Sequence, residues 1–429
     1  MGASGISDPV LNERQLPNGL RVLTAPMPHT RSVTVSFYVG AGSRYEVEAN
    51  AGVSHLVEHL CFKGSEAWPT AQLISEAIEG VGGVLNAGTD RELTVYYAKV
   101  ARNHLELALT LICDIVLRPL FEPRELEKER NVILEELASV EDSPGQIAEV
   151  VLDGLLWPGQ ALGRDVAGTP ASVRAIPLVD ATEYRFLQYT PANALLSVAG
   201  AVDPDEVAAI TTRATEDWHF GTPLGWEPAS PDVTTREVAL HRKEIEQAHL
   251  MVGLPALSAD HPDRFALSLL ISALGEGMSS RLFINLREEL GLAYDVHAYT
   301  SNLRDTGAIS LYLAVDPHNA MDALHAALTE LSRLPAGLPA AEHQKVVEYA
   351  KGRLFLNMED TRAVSSWYGG QALLLDRTRT VDEVVADLEA VTPDDLIRVA
   401  HDLIRDDRLR LAVVGPFDDA GPFEQALRL

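Results

Sequence analysis

The sequence predicts two copies of one domain built from alternating strands and amphipathic helices, with metal-binding residues kept only in the first copy. Three observations predict this. The first half runs apolar strand, glycine break, helix, second helix and alternating strands, and the second half repeats that order. Leu196-Ser197-Val198-Ala199-Gly200 late in the first half is echoed by Leu411-Ala412-Val413-Val414-Gly415 at the end of the second. Between the halves, Gly221 to Thr235 contains Pro223, Gly225, Pro228 and Pro231, the composition of a linker. The expected division is therefore 1–220, a linker at 221–235, and 236–429.

Arg21-Val22-Leu23-Thr24 and Ser32 to Val39 alternate as strands, with Pro26 and Pro28 in the turn between them. Gly40 to Arg44 breaks the pattern, and a helix follows from about Gly52. A second helix spans Thr70 to Glu79, with Thr70 as its cap and Gly80, Gly82 and Gly83 ending it. Val84 to Tyr97 reads as an edge strand, a sharp turn and a returning strand. An ordinary hairpin is the plainer reading, and docking of an extended peptide along its edge is the functional one. His104 to Leu117 is a strongly apolar helix stopped by Pro119, and Pro123 starts another that runs to about Val140. In the second half, Ala248 to Leu254 corresponds to the Val33–Val39 strand. Asp263 to Leu274 corresponds to the Gly52 helix, and Arg281 to Glu289 to the second helix. Strands at Tyr294 to Thr300 and Ala308 to Val315 follow.

The Gly52 helix carries His55-Leu56-Val57-Glu58-His59. Val53, Leu56, Val57 and Leu60 form its apolar stripe. His55 and His59, four residues apart, share a face, and Glu58 projects toward the same side. Two imidazoles so placed are natural zinc ligands, and a carboxylate beside them can take a proton from a metal-bound water. H-x-x-E-H is the inverted order of the commoner zinc-protease helix. Cys61 lies about 200° around the wheel from His59 and points away, as a buried apolar cysteine.

A third ligand is to be sought on the Pro123 helix, which offers Glu125, Glu127, Glu129, Glu135 and Glu136. Glu135 shares a face with Lys128, Asn131 and Asp142 and looks solvated. Glu136 is three past Ile133 and four before Val140, at the border of the buried stripe. A carboxylate there has to be paired or bound. Glu136 is therefore the expected ligand, Glu129 two turns back its supporting carboxylate, and Glu135 the alternative.

The chain has 429 residues, 46% hydrophobic and 23% charged, as in soluble globular proteins, and lacks an apolar run long enough to span a membrane. Its net charge of −27 argues against nucleic-acid binding. Cys61 and Cys113, both in apolar helical patterns, make no disulfide framework and suggest a reducing, cytoplasmic setting. Met1–Ser7 is a stretch that could include tag residues.

With these segments assembled, the chain resembles the pitrilysin family of inverted-zincin peptidases over nearly its whole length. The matching residues are His55 to His59 with Phe62-Lys63-Gly64, Gly82-Gly83 with Asn86-Ala87 and Thr89, and Glu129-Arg130 with Glu136. In the second half they are Ser279-Ser280-Arg281-Leu282 and Arg287 with Gly291-Leu292-Ala293-Tyr294. The resemblance implies one Zn2+ per chain held by His55, His59 and Glu136, with Glu58 as general base and Glu129 in the outer shell. It implies that Asn86 and Ala87 pair with substrate, and that Arg287 and Tyr294 bind substrate and stabilise the transition state. It further implies an α+β fold of two duplicated domains, each a sheet of about six mostly antiparallel strands packed against helices. Such a chain forms half of a clam-shell chamber, so a homodimer acting on short or unfolded peptides is expected. The competing expectation is a non-catalytic structural or partner subunit of the same fold.

Overall fold

The computed structural model describes residues 11–218, 220–230 and 234–429. Met1–Ser7 and residues 231–233 of the expected linker lie outside these. Among the described residues, eleven strands form two mixed sheets. The first has the order β1-β2-β6-β3-β5-β4, with β1 Asn12–Gln15, β2 Arg21–Pro26, β3 Ser32–Val39, β4 Val84–Thr89, β5 Thr94–Ala101 and β6 Ala194–Gly200. The second has the order β7-β11-β8-β10-β9, with β7 Glu237–Arg242, β8 Ala248–Ala256, β9 Ala293–Asn302, β10 Gly307–Val315 and β11 Arg410–Gly415.

Each sheet has one parallel pair, β2 with β6 and β7 with β11, and is otherwise antiparallel. The duplication is thus visible in every strand of the first sheet except β1. The second sheet has five strands where about six were expected, because β7 begins directly and has no partner matching the β1–β2 hairpin. Among the described residues no helix is long and apolar enough to cross a membrane.

The chain divides into two compact units, and each recruits a segment from the other half of the sequence. One unit contains the chain up to Leu137, Asp165–Glu227 and Leu354–Asp382; the other contains Ala138–Arg164, Pro228–Arg353 and Glu383–Leu429. This grouping differs from the contiguous division expected from the sequence at residues 138–164 and 354–382. The physical reason is that both faces of each sheet must be covered. On β3, Val33, Val35, Phe37 and Val39 point into the main apolar core with helix α1 (Val53–Cys61), helix α2 (Ala71–Glu79) and helix α3 (Leu105–Leu117). The alternate residues Thr34, Ser36 and Tyr38 face the helix Thr361–Leu375. There Thr34 Oγ1 meets Thr361 Oγ1 at 2.9 Å, Ser365 Oγ donates to Ser36 Oγ at 2.8 Å, and Gly369 leaves room for the Tyr38 ring. Helix α4 spans Pro123–Glu141. Helix α5 (Pro144–Leu156) plays the Thr361–Leu375 part in the second unit, with Leu152 against Gly253 of β8.

The segment expected as an ordinary helix at Arg281 to Glu289 is π-helical over Phe283–Glu289, with Leu290 N–H donating to the Asn285 carbonyl.

Candidate metal centre

Helix α1 is pinned at its start by groups far apart in sequence. Gly52 caps it at φ 93°, and a Cβ there would lie 2.4 Å from the Ala167 carbonyl oxygen. The Glu46 carboxylate, 6% exposed, accepts hydrogen bonds from Gly52 N–H and Ser54 N–H, both 2.8 Å. A carboxylate at the positive end of a nine-residue helix satisfies two of its orphan donors and complements its dipole. Ser54 Oγ meets Tyr184 OH at 2.7 Å. Val53, Leu56, Val57 and Leu60 are fully buried, as the apolar stripe requires. Cys61 points to the opposite side, beneath the Tyr96 hydroxyl.

This anchoring aims His55 and His59 outward together. Their Nε2 atoms are 3.2 Å apart, and Glu136 Oε2, from α4, lies 3.9 Å from the first and 3.7 Å from the second. Among the described residues these three form the one cluster of His, Cys, Asp or Glu with ligand spacing. A triangle with those sides has its equidistant point about 2.1 Å from each atom, within the range of zinc–nitrogen and zinc–oxygen bonds. The donor set and its spacing therefore fit a zinc ion. Glu135 is exposed on α4 and stands outside the cluster. Glu136 is itself exposed, so burial does not separate the two; direction around the helix does.

Glu129, 4% exposed, lies two turns before Glu136. Its Oε2 is 3.1 Å from His59 Nδ1, and its Oε1 is 2.8 Å from Lys63 Nζ. The bond to Nδ1 favours the tautomer that leaves the His59 Nε2 lone pair free. Burial pushes the Glu129 carboxyl up, but the bonds from His59 and Lys63 outweigh it and hold its pKa low. His55 Nδ1 is buried without a hydrogen-bond partner. Burial, then the charge of His59, pulls the His55 pKa down to about 4, which keeps its imidazole neutral, the form that binds a metal. Burial also pulls on His59, but the Glu129 bond and the surrounding carboxylates leave its pKa raised.

Glu58 is buried on the same helix, and burial pushes its pKa up. Thr89 Oγ1 donates to its Oε2 at 2.5 Å. Thr89 ends β4, which is the edge of its sheet, and the two expected substrate residues lie on the same strand. Asn86 points outward, and its Oδ1 accepts from Ala87 N–H at 2.8 Å. Asp90 N–H donates to the Leu93 carbonyl across the turn. By antiparallel alternation, the backbone groups of Leu85, Ala87 and Thr89 then face the open side of the strand.

Arg287 and Tyr294 belong to the second unit. Arg287 is exposed on the π-helix, its guanidinium 4.9 Å from the Phe283 ring centre and 5.6 Å from that of Tyr294. Tyr294, 71% exposed, is the second residue of edge strand β9. Sequence reasoning did not find the Glu46 cap or the grip of Thr89 on Glu58. Thr89 stood within the quoted motif, but Glu46 carried no local signal of its contact eight residues on.

A family model described as Insulinase (Peptidase family M16) matches residues 21–170, and one described as Peptidase M16 inactive domain matches residues 179–349. An uncharacterized zinc protease of Streptomyces coelicolor is 36% identical, covering 96% of this chain and 90% of its own. The uncharacterized zinc protease YmxG of Bacillus subtilis is 32% identical over 93% of this chain and 97% of its own. A probable mitochondrial-processing peptidase subunit beta of Arabidopsis thaliana is 31% identical over 99% of this chain and 82% of its own. Among solved structures, a protease from Helicobacter pylori superposes with a TM-score of 0.90 at 23% identity, covering 96% of this chain and all of that one. A peptidase M16 inactive domain from Pseudomonas fluorescens gives 0.88 at 18% identity over 95% and 99%. At these identities the structural likeness bears on the fold alone.

Proposed function

Because this chain belongs to peptidase family M16, we propose that it is a zinc-dependent endopeptidase that hydrolyses short or unfolded peptides. The observation that supports this most is the convergence of His55, His59 and Glu136 on a common centre about 2.1 Å from each ligand atom, with buried Glu58 on the same helix. A zinc ion held there supplies Lewis acidity toward the scissile carbonyl and acidifies water.

The chain's own residues do the rest. Glu129 holds His59 in its ligating tautomer. Glu58 accepts a proton from the attacking water on its carboxylate and returns one to the leaving amine, and the burial that raises its pKa makes it a better base. The open side of β4 offers the N–H and C=O of Ala87 to an extended peptide, which would add as a further strand once the Asn86 side chain releases the Ala87 N–H. Arg287 and Tyr294 would bind substrate and stabilise the oxyanion, and two copies of the chain would enclose the peptide, both as the family resemblance implies.

The test is incubation of zinc-loaded protein with a mixed peptide library, beside Glu58→Gln, with products read by mass spectrometry. Cleavage by the wild type alone is expected. Cleavage by neither, with zinc bound to both, would overturn the peptidase reading in favour of a non-catalytic subunit.

A further inference from the structure

The edge strand that offers itself to a peptide also holds the base. Thr89 is the last residue of β4, and its hydroxyl donates to Glu58 Oε2 at 2.5 Å. Its backbone N–H is directed at the same carboxylate. The neighbouring Thr94 hydroxyl, which donates to the Ala41 carbonyl at 3.0 Å, lies 3.3 Å from that of Thr89, farther than Glu58 Oε2. Glu58 therefore sits on the open side of β4. Ala87, the nearest residue whose backbone faces that side, is two positions back, about 6.6 Å along a strand.

We infer that Thr89 is a positioning residue that fixes the Glu58 carboxylate relative to the peptide-docking edge of β4. The inference rests on the peptidase reading above and adds to it a specific coupling. A peptide that aligns with Ala87 is aligned with the base by the same strand, without any contact between peptide and α1. The β4–β5 turn is itself fixed from behind. Ser43 N–H and Arg44 N–H donate to the carbonyls of Asp90 and Arg91, and the Arg44 guanidinium forms a 2.5 Å buried ion pair with Glu92. Thr89 thus ends a strand with little freedom to shift, which is what a positioning group needs. The residues with ligand spacing are His55, His59 and Glu136, so the loss of the Thr89 hydroxyl leaves the metal set intact.

The test compares Thr89→Val, which keeps the shape and loses the hydroxyl, with Thr89→Ser, which keeps the hydroxyl. Both are made in the full-length, zinc-loaded protein and assayed on a peptide that the wild type cleaves. Thr89→Val is expected to lose about 10- to 100-fold in kcat, the scale of a misplaced general base, with KM, zinc content and Tm unchanged. Thr89→Ser should recover kcat. Crystals of Thr89→Val should show the Glu58 carboxylate displaced, and those of Thr89→Ser should show it in place. Wild-type kcat in Thr89→Val, or an unmoved Glu58 in its crystals, overturns the inference. A wild type that cleaves no peptide overturns the peptidase reading instead, and the position of Glu58 in the two crystals still decides what Thr89 does.

Discussion

Replacing Glu129 should weaken zinc binding without touching a ligand. The carboxylate serves two donors from two oxygens, His59 Nδ1 at 3.1 Å and Lys63 Nζ at 2.8 Å. A glutamine has one accepting end. In Glu129→Gln the amide oxygen can face either His59 or Lys63, and the amide NH2 then confronts the other donor. The Lys63 side chain is 27% exposed and can turn to water, so the oxygen should go to His59. The remaining loss is the negative charge behind the imidazole, and zinc affinity should fall about 10-fold, or about 1.4 kcal/mol. Glu129→Ala removes the partner altogether, and the fall should approach 100-fold. Glu135→Gln, on an exposed residue of the same helix, serves as control and should bind zinc as the wild type does. Competition against a chromogenic zinc chelator at fixed pH reads all three. Equal affinities for Glu129→Ala and the wild type would refute the claim that this carboxylate supports the metal through His59.

Four further outcomes are expected. Glu58→Gln should retain one zinc per chain by metal analysis while turnover drops by at least about 10²-fold; full turnover would remove Glu58 from the base role. Stripping zinc with a chelator should lower stability, since an ion at 100 times its Kd contributes about 2.7 kcal/mol, or roughly 5–10 °C in Tm for a unit of this size. His55→Ala should melt at the stripped temperature with or without zinc, and a zinc-dependent rise in that variant would count against the site. Gly168→Ala should destabilise by about 2 kcal/mol or more. Gly168 has φ +80°, and its Cβ would lie 2.3 Å from the Ala51 carbonyl oxygen, backbone that cannot step aside. Urea unfolding measures it, and an unchanged midpoint would show that the loop beside α1 is free to relax.

Local chemistry made much of this site legible in advance. The four-residue spacing of His55 and His59, and the seven-residue spacing of Glu129 and Glu136, are properties of any helix, so the sequence alone placed each pair on a face. Choosing Glu136 over Glu135 was less secure. The burial argument behind it does not hold, since both are exposed, and the choice stands on the angular position of Glu136 toward α1. The Glu46 cap and the Arg44–Glu92 ion pair depend on where loops return after long excursions, which no periodicity encodes. The same limit applies to the domain boundary. The apolar residues Ile147, Ala148, Leu152 and Leu156 of α5 announce a buried face, but nothing in them says which sheet it covers. The π-helical turn before Tyr294 was read as an ordinary helix, because the two differ by a single residue of hydrogen-bond register.

The recruitment of Thr361–Leu375 by the first sheet has a consequence for biosynthesis. When the ribosome has made residues up to Glu227, the Thr34, Ser36 and Tyr38 face of β3 still has no cover, because its helix has not been translated. At about 5–20 residues per second, the stretch from there to Leu375 takes roughly 7–30 s. During that interval a half-clad sheet with strand β4 at its edge is exposed on the nascent chain, the kind of surface that chaperones bind. The zinc-binding unit is therefore completed late in translation, and a chain that stops before Leu375 is a target for quality control.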